Sequence, residues 1–396
     1  NNQGRNMYRI SRMQEILKGL PRGSFNRLVA THHADKHSKG FRCWDQLVAM
    51  IYGQLSGVSS LRQLEAGFNS QSNHHYHLGT RPVRRSTLAE ANSRRSTVVF
   101  EQTARLLMEQ ASRQLRQEGQ ELLYLLDSTS ITLKGRGFDS WTWGNKTRNT
   151  QGIKLHLLYA AHQKIPLLHS FTAANVNDIE EGIKLPIEQK ATYVFDKGYC
   201  DYNWWAEIDA QEARFVTRFK YNAAVKVEAS RPIPEAASGT ILADEIVRFT
   251  YRRQGKGRSN RYDKPLRRIM VARPDKDRPL ILATNDLDSP ALDIARCYKD
   301  RWQIELFFKW MKQHLKIKCF LGRSENAVHI QVLCALICYL LLVIYKKTHG
   351  FKQSLWMLLV TVRASLFQRP SLEAERQQKR REQRLASSQL QLELFT

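Results

Sequence analysis

Two apolar runs that each end in a carboxylate constrain this chain more than any other feature. Residues 122–127 read Leu-Leu-Tyr-Leu-Leu-Asp, and residues 193–196 read Tyr-Val-Phe-Asp. Continuous apolar runs of this length are strands buried on both faces, as in a sheet covered by helices. An aspartate ending such a strand, Asp127 or Asp196, sits at a sheet edge, where its charge is costly unless it is protonated or faces a cation. Either one alone could equally cap the next turn or helix. Two together would repel, and a divalent ion held by oxygen ligands, Mg²⁺ or Mn²⁺ rather than zinc, is the usual resolution.

The flanking pattern predicts an α/β sheet with an antiparallel edge. Strand-like runs at 154–161 and 166–171 are joined by a polar turn, and helical periods at 178–185 and 202–213 bracket the second aspartate before a strand at 214–219. Residues 220–284 read as a β-rich insertion. Within it Arg248, Arg252, Arg253, Lys256, Arg258, Arg261, Lys264, Arg267 and Arg268 face one acid, Asp263. So one-sided a run is either a solvated hairpin tip or is neutralised by a polyanion. Helix resumes over 290–314, 327–345 and 353–367, ahead of a basic, Gln-rich tail.

The first 120 residues read as helical, with segments at 44–53 and 60–68. Thr87 and Glu90 form a capping box for a further helix carrying Arg94 and Arg95, preceded by Arg84 and Arg85. A helix-turn-helix and a plain helical bundle both fit. The histidine groups His32, His33, His37 and His74, His75, His77 lack cysteine partners and zinc spacing, and read as solvated residues able to meet phosphate.

Composition narrows the partner. The 396 residues carry 62 Lys+Arg against 37 Asp+Glu, a net charge of +25, which is the electrostatic footprint of a nucleic-acid binder. A mean hydropathy of −0.48 describes folded, soluble domains, two or three at this length. Six cysteines scattered without a C-x-x-C pair argue against a disulfide framework and a zinc ribbon. The most apolar run, 330–345, contains Gln331 and falls short of the roughly 20 residues of a membrane span, so it reads as a buried helix. No secretory signal is visible in the first thirty residues, and a cytoplasmic setting is expected.

A third acid completes the pattern. Tyr298, Arg301, Glu305 and Lys312 fall within roughly 60° of one another at about 100° per residue, so a single helix presents them on one face. Ile304, Leu306, Phe307, Phe308 and Met311 cover much of the remaining circumference, and the polar stripe therefore lines a site inside a packed protein. Trp302 reads as core.

The spacing Tyr298-x2-Arg301-x3-Glu305-x6-Lys312 resembles the Y-R-E-K signature of bacterial insertion-sequence transposases of the DDE class, fourth family. Asp196-Lys197-Gly198-Tyr199 resembles that family's Asp-x-Gly-Tyr motif, and Asp127-Ser128-Thr129 its first aspartate motif. Residues 34–36 and 39–56 look like the helical domain that precedes the catalytic domain in one branch.

The resemblance implies an RNase H-like catalytic domain, residues 121–219 and 285–368, interrupted by the β-rich basic insertion at 220–284. A helical DNA-binding domain at 1–120 precedes it and a basic tail at 369–396 follows. Asp127, Asp196 and Glu305 would hold two Mg²⁺ ions, Mn²⁺ substituting, for cleavage of transposon ends and joining to target DNA, directly or through a hairpin. Arg301, Lys312 and Tyr298 would contact DNA, as would Lys154 and His156, Arg252, Arg253, Lys256 and Arg258 of the insertion, and Arg84, Arg85, Arg94 and Arg95. Some relatives hold a flipped base with a tryptophan of the insertion. None lies between Trp205 and Trp302 here, so that role would pass to Phe249, Tyr251 or Tyr262. The implied partners are double-stranded DNA, both terminal repeats and target, and a second copy in a synaptic dimer at the bacterial nucleoid. A nuclease without strand transfer and a non-catalytic DNA binder are the alternatives.

Overall fold

The computed structural model describes residues 10–145, 150–220, 223–250, 259–274, 276–315, 317 and 319–368. Arg252, Arg253, Lys256, Arg258, Tyr251 and the tail from 369 lie outside the described residues. The helices are α1 (Arg12–Leu17), α2 (Arg22–Thr31), α3 (Cys43–Ser56), α4 (Leu61–Asn69), α5 (Ser72–Leu78), α6 (Arg85–Arg94), α7 (Val98–Leu115), α8 (Asp178–Gly182), α9 (Tyr202–Ala210), α10 (Ala291–Asp300), α11 (Trp302–His314), α12 (Glu325–His349) and α13 (Leu355–Ala364). The strands are β1 (Leu123–Thr132), β2 (Trp143–Asn145), β3 (Thr150–Ala160), β4 (Ile165–Ala173), β5 (Thr192–Phe195), β6 (Arg214–Arg218), β7 (Val225–Ser230), β8 (Ile241–Phe249), β9 (Leu266–Val271) and β10 (Leu280–Thr284).

The chain divides into two compact units, 1–107 with 314–396, and 108–313. In the first, α12 packs on α3, α6, α13 and α1. Its residues are apolar nearly all round, with Val328, Leu333, Ile337 and Leu341 fully buried, so it needs partners on every side. That requirement places α12 and α13 with the N-terminal helices, whereas the sequence reading set them with the catalytic domain. By length and composition α12 could cross a membrane, but 89 % of its most apolar window is buried inside the structure. The capping box expected at Thr87 is not used. Helix α6 starts two residues earlier, where the Arg85 amide donates to Glu65 Oε1 at 3.0 Å, so α4 supplies the cap.

The second unit is built on one sheet of order β2-β3-β1-β5-β6-β10-β9-β8-β7, with β4 also paired to β3. β1, β5 and β6 are parallel neighbours, and the remaining pairs are antiparallel. The β-rich segment is therefore not a separate module: β10 bonds β6 directly, and β9, β8 and β7 continue the same sheet. Four described cations of its basic run are paired with carboxylates of neighbouring elements. Arg248 pairs with Glu228, Arg267 with Asp244, Arg268 with Glu245 and Lys264 with Asp209, so for these four cations the expected need for a polyanion does not hold. Phe249 lies 4.2 Å from Tyr202 between ring centroids, and Tyr262, 4 % exposed, sits edge-on to Phe215 and Phe249. Both rings are committed to this aromatic cluster and are poor candidates for receiving a base.

Candidate active site

The parallel register of β1 and β5 brings the two aspartates together. Its last pair is Leu126↔Phe195, so Asp127 and Asp196 are the next residues on adjacent strands. Asp127 does not end its strand as the sequence suggests. β1 continues to Thr132 along β3, with Asp127 opposite Leu157. Asp196 leaves β5 into a short 3₁₀ turn, Lys197–Tyr199.

Where one helix was expected, α10 ends at Asp300 and α11 starts at Trp302, but Arg301 keeps right-handed helical dihedrals and the stripe survives the break. Ile304 and Met311 are fully buried and Phe307 lies against Tyr159 of β3, while the polar stripe meets β1 and the end of β5. Trp302 and Leu306 are 57 % and 47 % exposed, so neither is core.

All four stripe residues reach the locus of the aspartates. Arg301 Nη1 lies 3.5 Å from Asp127 Oδ2, and its Nη2 donates to Glu305 Oε1 at 2.5 Å. The Tyr298 hydroxyl donates to Asp196 Oδ1 at 3.4 Å, and Lys312 Nζ donates to Thr129 Oγ1 at 2.5 Å and to the Ser130 carbonyl at 3.1 Å. Tyr298 is buried, so it meets Asp196 rather than solvent. Two contributors have no counterpart in the sequence reading. Arg218, at the end of β6, stands 3.6 Å from Asp196 Oδ1, and Asp178 accepts from Ser128 Oγ at 2.9 Å. Their only trace in the sequence is position, Arg218 near a strand end and Asp178 at a helix start.

Lys154 and His156 are corrected by the structure. Lys154 is buried and ion-paired to Asp178 at 2.9 Å, and His156 is buried with Nε2 bonded to Thr172 Oγ1 at 2.8 Å. Neither is available to DNA. Burial pushes the His156 imidazole down to about 4, the nearby acids only partly opposing it. Of the four N-terminal arginines, Arg84, Arg85 and Arg94 are exposed, Arg94 pairing with Glu90 at 2.8 Å. Arg95 is instead a brace, donating to Gln46 Oε1, Ser38 Oγ and the Phe41 carbonyl.

Burial raises the Asp127 carboxyl to about 6, against the Ser128 amide and Arg301, which favour its charge, while Glu305 and Asp178 add to the rise. Burial works against the Arg301 charge too, but Tyr298, Asp127 and Glu305 hold its guanidinium above the usual arginine range. Among the described residues no group of three or more acids, histidines or cysteines is assembled closely enough to share an ion. The Arg301 guanidinium bridges Asp127 and Glu305 instead. The donor set nevertheless fits a hard divalent ion: all oxygen, anionic, and half-desolvated so that a cation is favoured.

Comparison with known proteins identifies the family. The family described as "Transposase DDE domain" matches residues 118–341, and a domain of unknown function, DUF4372, matches residues 9–81. A protein named as a transposase, y4zB of Sinorhizobium fredii, is 43 % identical over 290 residues, covering 72 % of this chain and 78 % of that one. The protein named as transposase of insertion sequence element IS5377 from Geobacillus stearothermophilus is 27 % identical over 220 residues, 56 % of this chain and 55 % of its own. A solved piggyBac transposase synaptic complex with hairpin DNA has a TM-score of 0.49 at 12 % identity, covering 93 % of this chain and 82 % of that chain. The chain belongs to the DDE transposases of bacterial insertion sequences. Enzymes of this family use divalent metal ions.

Proposed function

We propose that this transposase cuts the ends of its insertion sequence and joins their 3′-OH groups to target DNA by two-metal phosphoryl transfer, as a dimer holding both ends at the bacterial nucleoid. The observation that carries the reading is the convergence of Asp127, Asp196 and Glu305, from two strands and a helix, on one pair of arginines. The order β4-β3-β1-β5-β6, three antiparallel strands followed by two parallel ones, supports the RNase H-like assignment.

In this reading Asp127, Asp196 and Glu305 would hold two Mg²⁺ ions, and the chemistry such ions would supply there is activation of an attacking oxygen and stabilisation of a leaving one. Water breaks the phosphodiester at the element end and leaves a 3′-OH. That oxygen then attacks a target phosphate, forming the new P–O bond as the target's own 3′ oxygen departs. Arg301 turns from the carboxylates to the phosphate, where a fixed fork of donors suits non-bridging oxygens. The Tyr298 hydroxyl fixes the orientation of Asp196. Lys312, anchored on the β1 backbone, sets cationic charge beside the scissile position.

The helical unit supports a second hold on DNA. A groove of about 1090 Å³ runs between the 32–41 loop and α6, lined by Lys36, Lys39, Arg81, Arg84 and Arg94 with Glu90 as its one carboxylate. Such a surface attracts a phosphate backbone in a salt-dependent way.

The test is Mg²⁺-dependent cleavage and joining of labelled DNA carrying the element ends, wild type against Glu305→Gln. End cleavage and joining by the wild type, lost in the variant with DNA binding retained, supports the reading. Cleavage without joining favours a nuclease, and binding without cleavage a non-catalytic DNA binder.

A further inference from the structure

The buried ion pair Lys154–Asp178 is not explained by stability. Its side chains are 5 % and 14 % exposed, and withdrawing two charges from water offsets most of what their attraction returns, so apolar residues of similar size would serve a sheet as well. The pair is explained by what it touches. Asp178 Oδ1 accepts from Lys154 Nζ and from Ser128 Oγ, both at 2.9 Å, and the Ser128 amide donates to Asp127 Oδ1 at 2.8 Å. Lys154 Nζ is fixed in turn by the Val176 carbonyl at 2.6 Å.

Helix α8 also meets the turn that follows Asp196. Asp178 Oδ2 stands 3.5 Å from where a Cβ on Gly198 would lie, and a Cβ on Gly182 would come within 2.9 Å of Tyr199 Cδ1. One short helix thus abuts the residue after Asp127 and the two-residue stretch beyond Asp196. Groups behind metal ligands commonly orient them, and their loss typically weakens metal binding about 10–100-fold.

We propose that Asp178, held by Lys154, is a positioning residue that sets the spacing of Asp127 and Asp196 for divalent-metal binding. The proposal rests on the metal-dependent reading above. Removing one charge leaves the other buried and unpaired and can unfold the chain, so the informative variant is Lys154→Met with Asp178→Leu, which removes both.

The full-length chain is titrated with Mn²⁺ alone, free ion being read by electron paramagnetic resonance, alongside its thermal midpoint in chelator and its binding to end DNA in Ca²⁺. The expected result is a retained midpoint, end-DNA binding within twofold, and Mn²⁺ binding weakened about 10–100-fold. Mn²⁺ affinity within twofold of wild type in the double variant overturns the positioning role and leaves the metal reading intact. A wild-type chain that binds no Mn²⁺ overturns the metal reading and this proposal with it. A fall in midpoint matched by an equal loss of end-DNA binding overturns the proposal in favour of a purely structural pair.

Discussion

Arg301 reaches across 174 residues of sequence to Asp127, its Nη1 3.5 Å from Oδ2, while the same guanidinium bonds Glu305 four residues on. One side-chain cation thus stands where carboxylates of a metal-dependent enzyme would meet an ion. Arg301→Gln leaves those acids facing each other without a counter-charge. In chelator the variant should melt below wild type, and Mg²⁺ should raise its midpoint by more than it raises that of wild type. At 100 times the dissociation constant the ion would contribute about 2.7 kcal/mol. Differential scanning fluorimetry with and without Mg²⁺ checks this, and an Mg²⁺ response no larger than that of wild type would contradict the arrangement.

Asp127 and His156 act on stability in opposite senses. Asp127 is raised to about 6, so the folded chain binds its proton more tightly than the unfolded one, and the associated stability is lost as pH rises through 6. His156 is lowered to about 4, so its contribution is present above the unfolded value and lost as pH falls from about 6.5 towards 4. In chelator, Asp127→Asn should gain on wild type from pH 4 to 7, by at most about 3 kcal/mol, partly offset by the partner Arg301 loses. His156→Asn should lose less stability than wild type between pH 7 and 4.5. Thermal midpoints at three pH values decide both, and parallel curves for variants and wild type would refute them.

What the sequence made legible was set by local pattern. Apolar runs ending in Asp127 and Asp196 announce buried strands, and the offsets from Tyr298 to Lys312 announce one helical face, because both follow from neighbours in sequence. Lys154, Asp178 and Arg218 were misjudged or missed because their roles depend on which strands adjoin. Alternation cannot tell a lysine facing solvent from one buried against an aspartate 24 residues later. The pairing of Arg248, Arg267 and Arg268 is hidden for the same reason: Glu228, Asp244 and Glu245 lie outside the basic run in sequence and opposite it across β7, β8 and β9.

Gly152 offers a test of the sheet under Asp127. Its φ is +143°, and a Cβ there would stand 2.1 Å from the Ile131 carbonyl oxygen and 2.9 Å from the Leu133 amide. Backbone cannot yield as a flexible side chain can, so Gly152→Ala must open the β1–β3 pairing at Thr132↔Gly152. A loss of about 3 kcal/mol is expected, from strained dihedrals and overpacking together. A thermal midpoint within 2 °C of wild type would show that the two strands tolerate separation.

Arg267 tests how the extended part of the sheet is held. It is 1 % exposed and forks onto Asp244, Nε to Oδ1 at 2.7 Å and Nη2 to Oδ2 at 2.6 Å, while Nη1 donates to the Ser289 carbonyl. Asp244 has a second cation, Arg231, at only 3.9 Å. Arg267→Met should therefore cost about 3–5 kcal/mol, because the carboxylate stays buried with one distant partner. Arg267→Lys should recover little, since an ammonium cannot reproduce the two parallel bonds. Adding Asp244→Leu to Arg267→Met should restore much of the loss by removing the orphaned charge. Urea denaturation of the three variants separates these cases: equal losses in the single and double variants would mean the side-chain volume of Arg267 matters, not its charge.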